Sequence, residues 1–222
     1  ILPIIKDKTQ SGLNNFTEYT MVDAFRMAPF MGFTEDEVKS LATQSGMEFD
    51  ELKKWYDGYN LEGEKIYSPK SIIDAVTDRK CDGYWTQTCS YEVLMDRLIL
   101  DFKGMKSDVI AMISGKEIPV NVRKFTNSIE INSKDDVFTS IIHLGYLGYN
   151  YNEKTCFIPN NEIKDMWVLT MERTKGYKDI FQMIKDSKKL LESTWNGDEE
   201  AVAEGVGKAH MEACSILEYN NE

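Results

Sequence analysis

The side chains able to do chemistry in this chain are few and scattered. Its thiols are Cys81, Cys89, Cys156 and Cys214, and its imidazoles are His143 and His210. A zinc site draws its ligands from short spacings such as Cys-x-x-Cys, and none of these residues is spaced that way. No serine or cysteine stands in a nucleophile motif, so covalent acyl transfer is not indicated. Gly115-Lys116 has the look of the end of a phosphate-binding loop. Glu117, however, stands where a Ser or Thr would hold the metal, and Ile110 stands where the first glycine belongs. A helix stop followed by a charged loop explains the pair better. Gly145 to Gly148 falls within a hairpin and opens no helix, so it is not a dinucleotide fingerprint.

Carboxylates cluster at Glu35-Asp36-Glu37, Asp135-Asp136 and Asp198-Glu199-Glu200. Paired carboxylates can serve as acid and base or hold a cation. Each cluster here falls in the first turn of a predicted helix, where negative charge is stabilised by the backbone dipoles. His143 lies beside Ile141, Ile142 and Leu144 and reads as a core histidine, while His210 reads as part of a solvated face. No catalytic residue and no metal ligand is assigned.

The elements that would position these groups are mostly helices. Thr34 and Glu37 form a capping box, Phe33 and Val38 a hydrophobic staple, and Gly46 a helix stop. Phe49, Leu52 and Tyr56 recur at helical spacing up to Gly58. Lys65-Ile66-Tyr67 reads as a strand, and Ser68-Pro69 opens the next helix. Tyr84 to Thr88 has strand composition and is expected to pair with the strand Lys65-Ile66-Tyr67 in a small sheet. Helices are predicted over about 91–100 and 106–113. Ser133 to Leu144 is helical, with Ser133 and Asp136 as a capping box. Tyr146 to Tyr151 and Thr155 to Ile158 form a hairpin, and Pro159-Asn160 opens a further helix. Helix, hairpin, helix is the layout of a winged-helix unit. Two longer amphipathic helices close the chain. The fold class is mainly α with small β-hairpins (α+β).

Composition narrows the function classes. The 222 residues are 42% hydrophobic and 11% aromatic, enough for a real core. Apolar runs such as Ile110 to Ile113 are far too short to span a bilayer. Net charge is -11, of which Trp195 to Glu222 carries -6. An acidic chain is a poor non-specific nucleic-acid binder. Scattered thiols without a signal peptide fit a reducing cytoplasm. Ile1-Leu2-Pro3-Ile4-Ile5 reads as a strand cut from a larger protein, and both ends are expected to be cuts.

Taken in order, these segments resemble the bacterial family of AAA-ATPase-like proteins fused to a PD-(D/E)XK nuclease-like domain. The resemblance is carried by Ile1 to Ile4, Thr9 to Asn15, Gly32 to Val38, Trp55-Tyr56-Asp57-Gly58-Tyr59, Tyr67 to Ser71 and Tyr84 to Thr88. It continues through His143 to Leu147, Ile158 to Glu162 and Asn196 to Asp198. Ser68 stands where that family more often has Asn. Phe33, Thr34, Glu37, Trp55, Tyr56, Asp57, Gly58, Tyr59, Pro69, Trp85, Pro159 and Asn160 are its motif residues, with structural roles expected. Trp55, Tyr56 and Tyr59 are expected to close a small lid core, with Asp57 as a turn residue.

The resemblance implies three regions. Residues 1–118 would be the end of an ATPase core strand plus a helical lid-like region. Residues 119–176 would be a winged-helix-like unit, and 177–222 a helical pair leading to a nuclease-like domain. ATP and Mg belong to the parent protein by this reading. Lys6, Lys8, Asn14 and Asn15 are the nucleotide-side candidates. The expected role is non-catalytic regulation and coupling, with the ATPase core and nuclease-like domain as partners and no membrane. One alternative is a DNA-binding winged-helix module reading with the helix Ser133 to Leu144 and using Arg123, Lys124 and Lys134. Val120 to Gly176 carries seven basic and seven acidic residues, a balance unfavourable for phosphate. A second alternative is an interaction platform of exposed aromatics at Tyr56, Tyr59 and Tyr84.

Overall fold

The computed structural model describes residues 19–85, 91–122 and 131–219. It is mainly helical, with two small antiparallel sheets, and divides into two compact units, Ile1–Thr174 and Lys175–Glu222.

The first unit begins with a 3-10 helix, Phe25–Phe30, and a short strand β1, Phe33–Thr34. Helix α1, Glu35–Ser45, starts at the capping box read from the sequence. The Thr34 N–H donates to Glu37 Oε2 at 2.8 Å, and the Glu37 N–H donates to Thr34 Oγ1 at 3.4 Å. Helix α2 spans Phe49–Tyr56. A hairpin of β2, Tyr59–Leu61, and β3, Glu64–Tyr67, follows, and β3 also pairs with β1. Its two-residue turn, Glu62-Gly63, holds both residues at positive φ (55° and 98°), the twist that suits a tight hairpin. Helix α3, Pro69–Asp78, opens on the Ser68 cap with Pro69 in its first turn.

Helices α1, α2 and α3 close over Val38, Leu52, Tyr56, Tyr67 and Ile72, all at most 1% exposed. Burying each large apolar side chain contributes about 1.5–3 kcal/mol. On the other face of the hairpin, Leu61 and Ile66 join Ala24 and Ala28 in a smaller cluster. The alternation along β3 explains this division, because Ile66 and Tyr67 point to opposite faces.

Helix α4, Tyr91–Ile99, and helix α5, Met105–Ile113, lead to strand β4, Ile118–Pro119. Helix α6, Lys134–His143, precedes β5, Gly148–Asn150, and β6, Thr155–Phe157. The strand order is β4-β6-β5, with Tyr149 opposite Cys156. Every residue of α6 from Val137 to His143 is buried, so the helix is enclosed on all sides. Helix α7, Asn161–Arg173, packs against α2 and α4 and buries Trp167, whose Nε1 donates to the Tyr146 carbonyl at 2.8 Å.

The second unit is a helical hairpin. Helix α8, Lys178–Asn196, turns at Gly197 into α9, Glu199–Tyr219. Lys208 pairs with Asp186 at 2.7 Å, and Gly205 lies against Leu190, which sets the two helices antiparallel. No helix among the described residues is long and apolar enough to cross a membrane.

One expected strand differs in its described part. Tyr84-Trp85 is a turn rather than a strand, and residues 86–88 lie outside the described residues. The Tyr56 hydroxyl explains the turn. It donates to the Asp82 carbonyl and accepts from the Asp82 N–H, each at 2.9 Å. Both backbone groups of Asp82 are thereby removed from any ladder. The neighbours of β3 are instead β1 and β2.

Candidate functional site

The acidic clusters lie where the dipole argument puts them. Glu35-Asp36-Glu37 and Asp135-Asp136 occupy the first turns of α1 and α6, and Asp198 accepts from the Ala201 N–H at the start of α9. His143 is 3% exposed, and burial pulls its imidazole down to about 4. Burial likewise pushes the Cys81 thiol up to about 11 and the Cys156 thiol up to about 12. Both thiols are free and buried, hence poor nucleophiles. Gly115-Lys116 follows the end of α5 and leads to a strand, the reverse of a phosphate loop's setting. Among the described residues, no group of three or more His, Cys, Asp or Glu is placed to hold a metal ion.

What the fold does assemble is a seam. The end of α2, the β2–β3 hairpin, the start of α3 and Trp85 meet Gly145–Gly148 and the start of α7. Asn160 is its central side chain. Its Oδ1 caps α7 by accepting from the Ile163 N–H at 3.0 Å, while its Nδ2 donates to the Asp57 carbonyl at 2.9 Å. One amide therefore serves both parts, and the two contacts fix its orientation. Gly58 follows with φ of 110°, and a Cβ there would be driven into the carbonyl of Pro159. The close approach of the Gly58 carbonyl to Gly148 is equally strict, since a Cβ on Gly148 would lie 2.9 Å from it. The Tyr59 hydroxyl donates to the Gly145 carbonyl at 2.6 Å.

A buried acid completes the seam. Glu162, in the first turn of α7, is 2% exposed. Its Oε2 accepts from the Ser71 hydroxyl at 2.8 Å, and its Oε1 accepts from the Trp85 N–H at 2.6 Å. Burial raises its carboxyl above the ordinary range, and these two donors and the Tyr84 backbone N–H oppose the rise. The Trp85 ring lies 5.2 Å from that of Tyr146. A cavity of about 200 Å³ opens beside Glu162, lined among others by Met21, Met31, Tyr59, Trp85 and Asn160.

A charged cluster borders the seam on the α1 side. Lys65 lies 3.1 Å from Glu35 and 3.4 Å from Asp57, and Lys39 lies 2.9 Å from Glu35. Hydrogen bonds from Lys39 and then Lys65 hold the Glu35 carboxyl at about 2.

The structure thus gathers Asp57, Gly58, Tyr59, Trp85, Pro159 and Asn160 in one place, with Pro69 at the cavity rim. Phe33, Thr34, Glu37 and Trp55 belong to the neighbouring α1–α3 core and its cap. Tyr59 differs from expectation. It packs on the opposite side of the hairpin from Tyr56 and reaches Gly145 instead of closing the same core. Nor do Tyr56, Tyr59 and Tyr84 form an exposed aromatic surface. Tyr56 and Tyr84 are 1% and 8% exposed, because their hydroxyls find backbone carbonyls inside the fold. Lys134 is engaged by Asp108 at 2.7 Å. Lys6, Lys8, Asn14, Asn15, Arg123 and Lys124 lie outside the described residues. Ser71, Gly145, Gly148 and Glu162 are seam residues to which the sequence assigns no role, although Ser71, Gly145 and Glu162 lie in segments that carry the resemblance. A glutamate in a first helical turn reads by default as a solvated dipole partner, and only its long-range neighbours reveal otherwise.

No protein-family model matches the chain, and no solved structure matches it. Over 90 residues it is 34% identical to an "Uncharacterized protein in vnfD 5'region" of Azotobacter chroococcum mcd 1. That match covers 40% of this chain and 17% of the Azotobacter protein.

Proposed function

We propose that this chain is a non-catalytic regulatory and coupling segment of a bacterial AAA-ATPase-like protein, lying between its nucleotide-binding core and a PD-(D/E)XK nuclease-like domain. The observation that carries the reading is the seam. Trp55 to Tyr59, Tyr67 to Ser71, Tyr84-Trp85, Gly145-Tyr146 and Pro159 to Glu162, which carry the family resemblance, converge on one set of backbone contacts. Residues used in this way lock a helical lid-like region to the unit that follows it. A locked joint lets movement at one end be felt at the other. ATP and Mg would be held by the parent's core. There, phosphoryl chemistry needs a phosphate cradle, a metal and a group positioning water. The buried free thiols favour a reducing, cytoplasmic setting.

The strand order β4-β6-β5, with α6 leading into the β5–β6 hairpin, supports a winged-helix-like reading of the second region. DNA reading by α6 is the weaker alternative. Val137 to His143 are buried, and the half-buried first turn offers Lys134, already paired with Asp108, beside two aspartates.

Two measurements test this reading. The chain alone is expected to show no ATP turnover, and robust turnover abolished by a point substitution within it would refute the proposal. In the longer parent chain, Asn160→Ala with Tyr59→Phe is expected to leave nucleotide affinity unchanged while weakening its effect on the nuclease-like domain. DNA binding that falls steeply with salt and is lost on neutralising Arg123, Lys124 and Lys134 would favour the alternative.

A further inference from the structure

The cavity beside Glu162 has a chemistry that the seam does not use. Glu162 is 2% exposed, and among the described residues it forms no ion pair. Its nearest cationic influence is Lys70, which is engaged by Asp74 at 2.6 Å. Its hydrogen-bond donors, the Ser71 hydroxyl and the backbone N–H groups of Trp85 and Tyr84, are neutral. An ionised carboxylate has about four acceptor positions, so about one remains. Around it stand the aromatic Tyr59 and Trp85 and the thioethers Met21 and Met31, enclosing about 200 Å³ with exposed Pro69 at the rim.

We propose that this cavity binds an alkylammonium group, with Glu162 supplying the countercharge and Tyr59 and Trp85 the aromatic walls. Each competing ligand class fails on a particular point. An anion would meet Glu162 without a compensating cation. A guanidinium binds best across two open carboxylate oxygens, and here each oxygen already accepts from a protein donor. A divalent ion needs several oxygen ligands, and among the described residues Glu162 belongs to no metal-holding group. A neutral apolar ligand would strip water from the carboxylate and give nothing back. An ammonium needs one acceptor, gains from aromatic rings, and its alkyl stem suits the two methionines. The inference stands apart from the coupling role proposed above.

The test uses the full chain with methionine methyl groups labelled by carbon-13. The Met21 and Met31 signals are assigned with the variants Met21→Leu and Met31→Leu. n-Butylammonium chloride is titrated at constant ionic strength against n-butanol, its neutral counterpart. The expected result is a saturable shift of the Met21 and Met31 methyls, with butylammonium binding about tenfold more tightly than butanol. In Glu162→Gln that preference should disappear while circular dichroism stays unchanged. Equal binding of butanol and butylammonium to the unaltered chain would overturn the proposal, as would a flat titration, and neither depends on a variant folding. Nα-acetyl-lysine amide separates the sources. Binding tighter than butylammonium supports a lysine side chain of a partner protein, and weaker binding supports a free amine.

Discussion

Replacing Gly58 by alanine tests the seam most directly. The residue sits at φ of 110°, where an L side chain costs at least about 1–2 kcal/mol. The new methyl would also be driven into the Pro159 carbonyl, and backbone crowding of this kind costs about 1–3 kcal/mol. Together these give about 3 kcal/mol, a large part of the roughly 5–15 kcal/mol that holds a domain folded. Gly63→Ala is the matched control. Gly63 has φ of 98°, but nothing lies within 4 Å of the place its methyl would take, so only the backbone cost applies. The expected separation is about 2 kcal/mol, or about 1 M in urea midpoint for a slope near 2 kcal/mol per M. Urea unfolding followed by tryptophan fluorescence reads it, because Trp55, Trp85 and Trp167 all lie in the first unit. Coincident midpoints for Gly58→Ala and Gly63→Ala would show that the Pro159 contact adds nothing.

Asn160→Ala should cost about 2 kcal/mol, through the lost cap of α7 and the lost bond to Asp57, whereas Asn160→Ser keeps the cap and should cost about 1 kcal/mol; chemical denaturation of both variants compares them. Glu162 has a folded pKa above its unfolded value, so its contribution is fully present below the ordinary carboxylate range and is lost as pH rises through the folded value. Glu162→Gln should therefore flatten the pH–stability curve just above the ordinary carboxylate range, and an unchanged slope would show that burial is not felt. His143 has the opposite sign. Its imidazole titrates near 4 when folded and near 6.5 when unfolded, so stability should fall by up to one proton's slope as pH drops from 6.5 towards 4. An NMR titration placing the imidazole near 6.5 in the folded chain would refute this.

Local elements were legible in the sequence because their signals are local. Thr34 with Glu37, Ser68 with Pro69, and Asn160 before its helix each act within four residues, and each is realised as a cap. Tyr84-Trp85, expected to open a strand, is a turn for a non-local reason, since the Tyr56 hydroxyl, 26 positions from Asp82, holds the Asp82 backbone just before it. The seam was half visible. Trp55 to Tyr59 stood out as an aromatic corner, but nothing in that run names Gly145 or Pro159 as its counterpart. The role of Glu162 was hidden, although it ends a segment that carries the resemblance, because a first-turn glutamate is ordinary and its partners Ser71 and Trp85 lie 91 and 77 positions away.

Those separations bear on the order in which the molecule comes together. The α1–α3 core joins neighbours in sequence, whereas the Asn160 bond to Asp57 closes a stretch of 103 positions. Closing a loop of that length costs several kcal/mol of chain entropy, about (3/2)RT ln n plus a constant, before any bond rewards it. We predict that the three-helix core forms first and that the seam joins late, after the folding barrier. Substitutions at Gly58 or Asn160 should then accelerate unfolding and leave the folding rate nearly unchanged, while Leu52→Ala in the core should slow folding. Stopped-flow rates for these three variants would decide the order. A chain emerging from the ribosome would hold its three-helix core ready and acquire its joint only after α7 has been made.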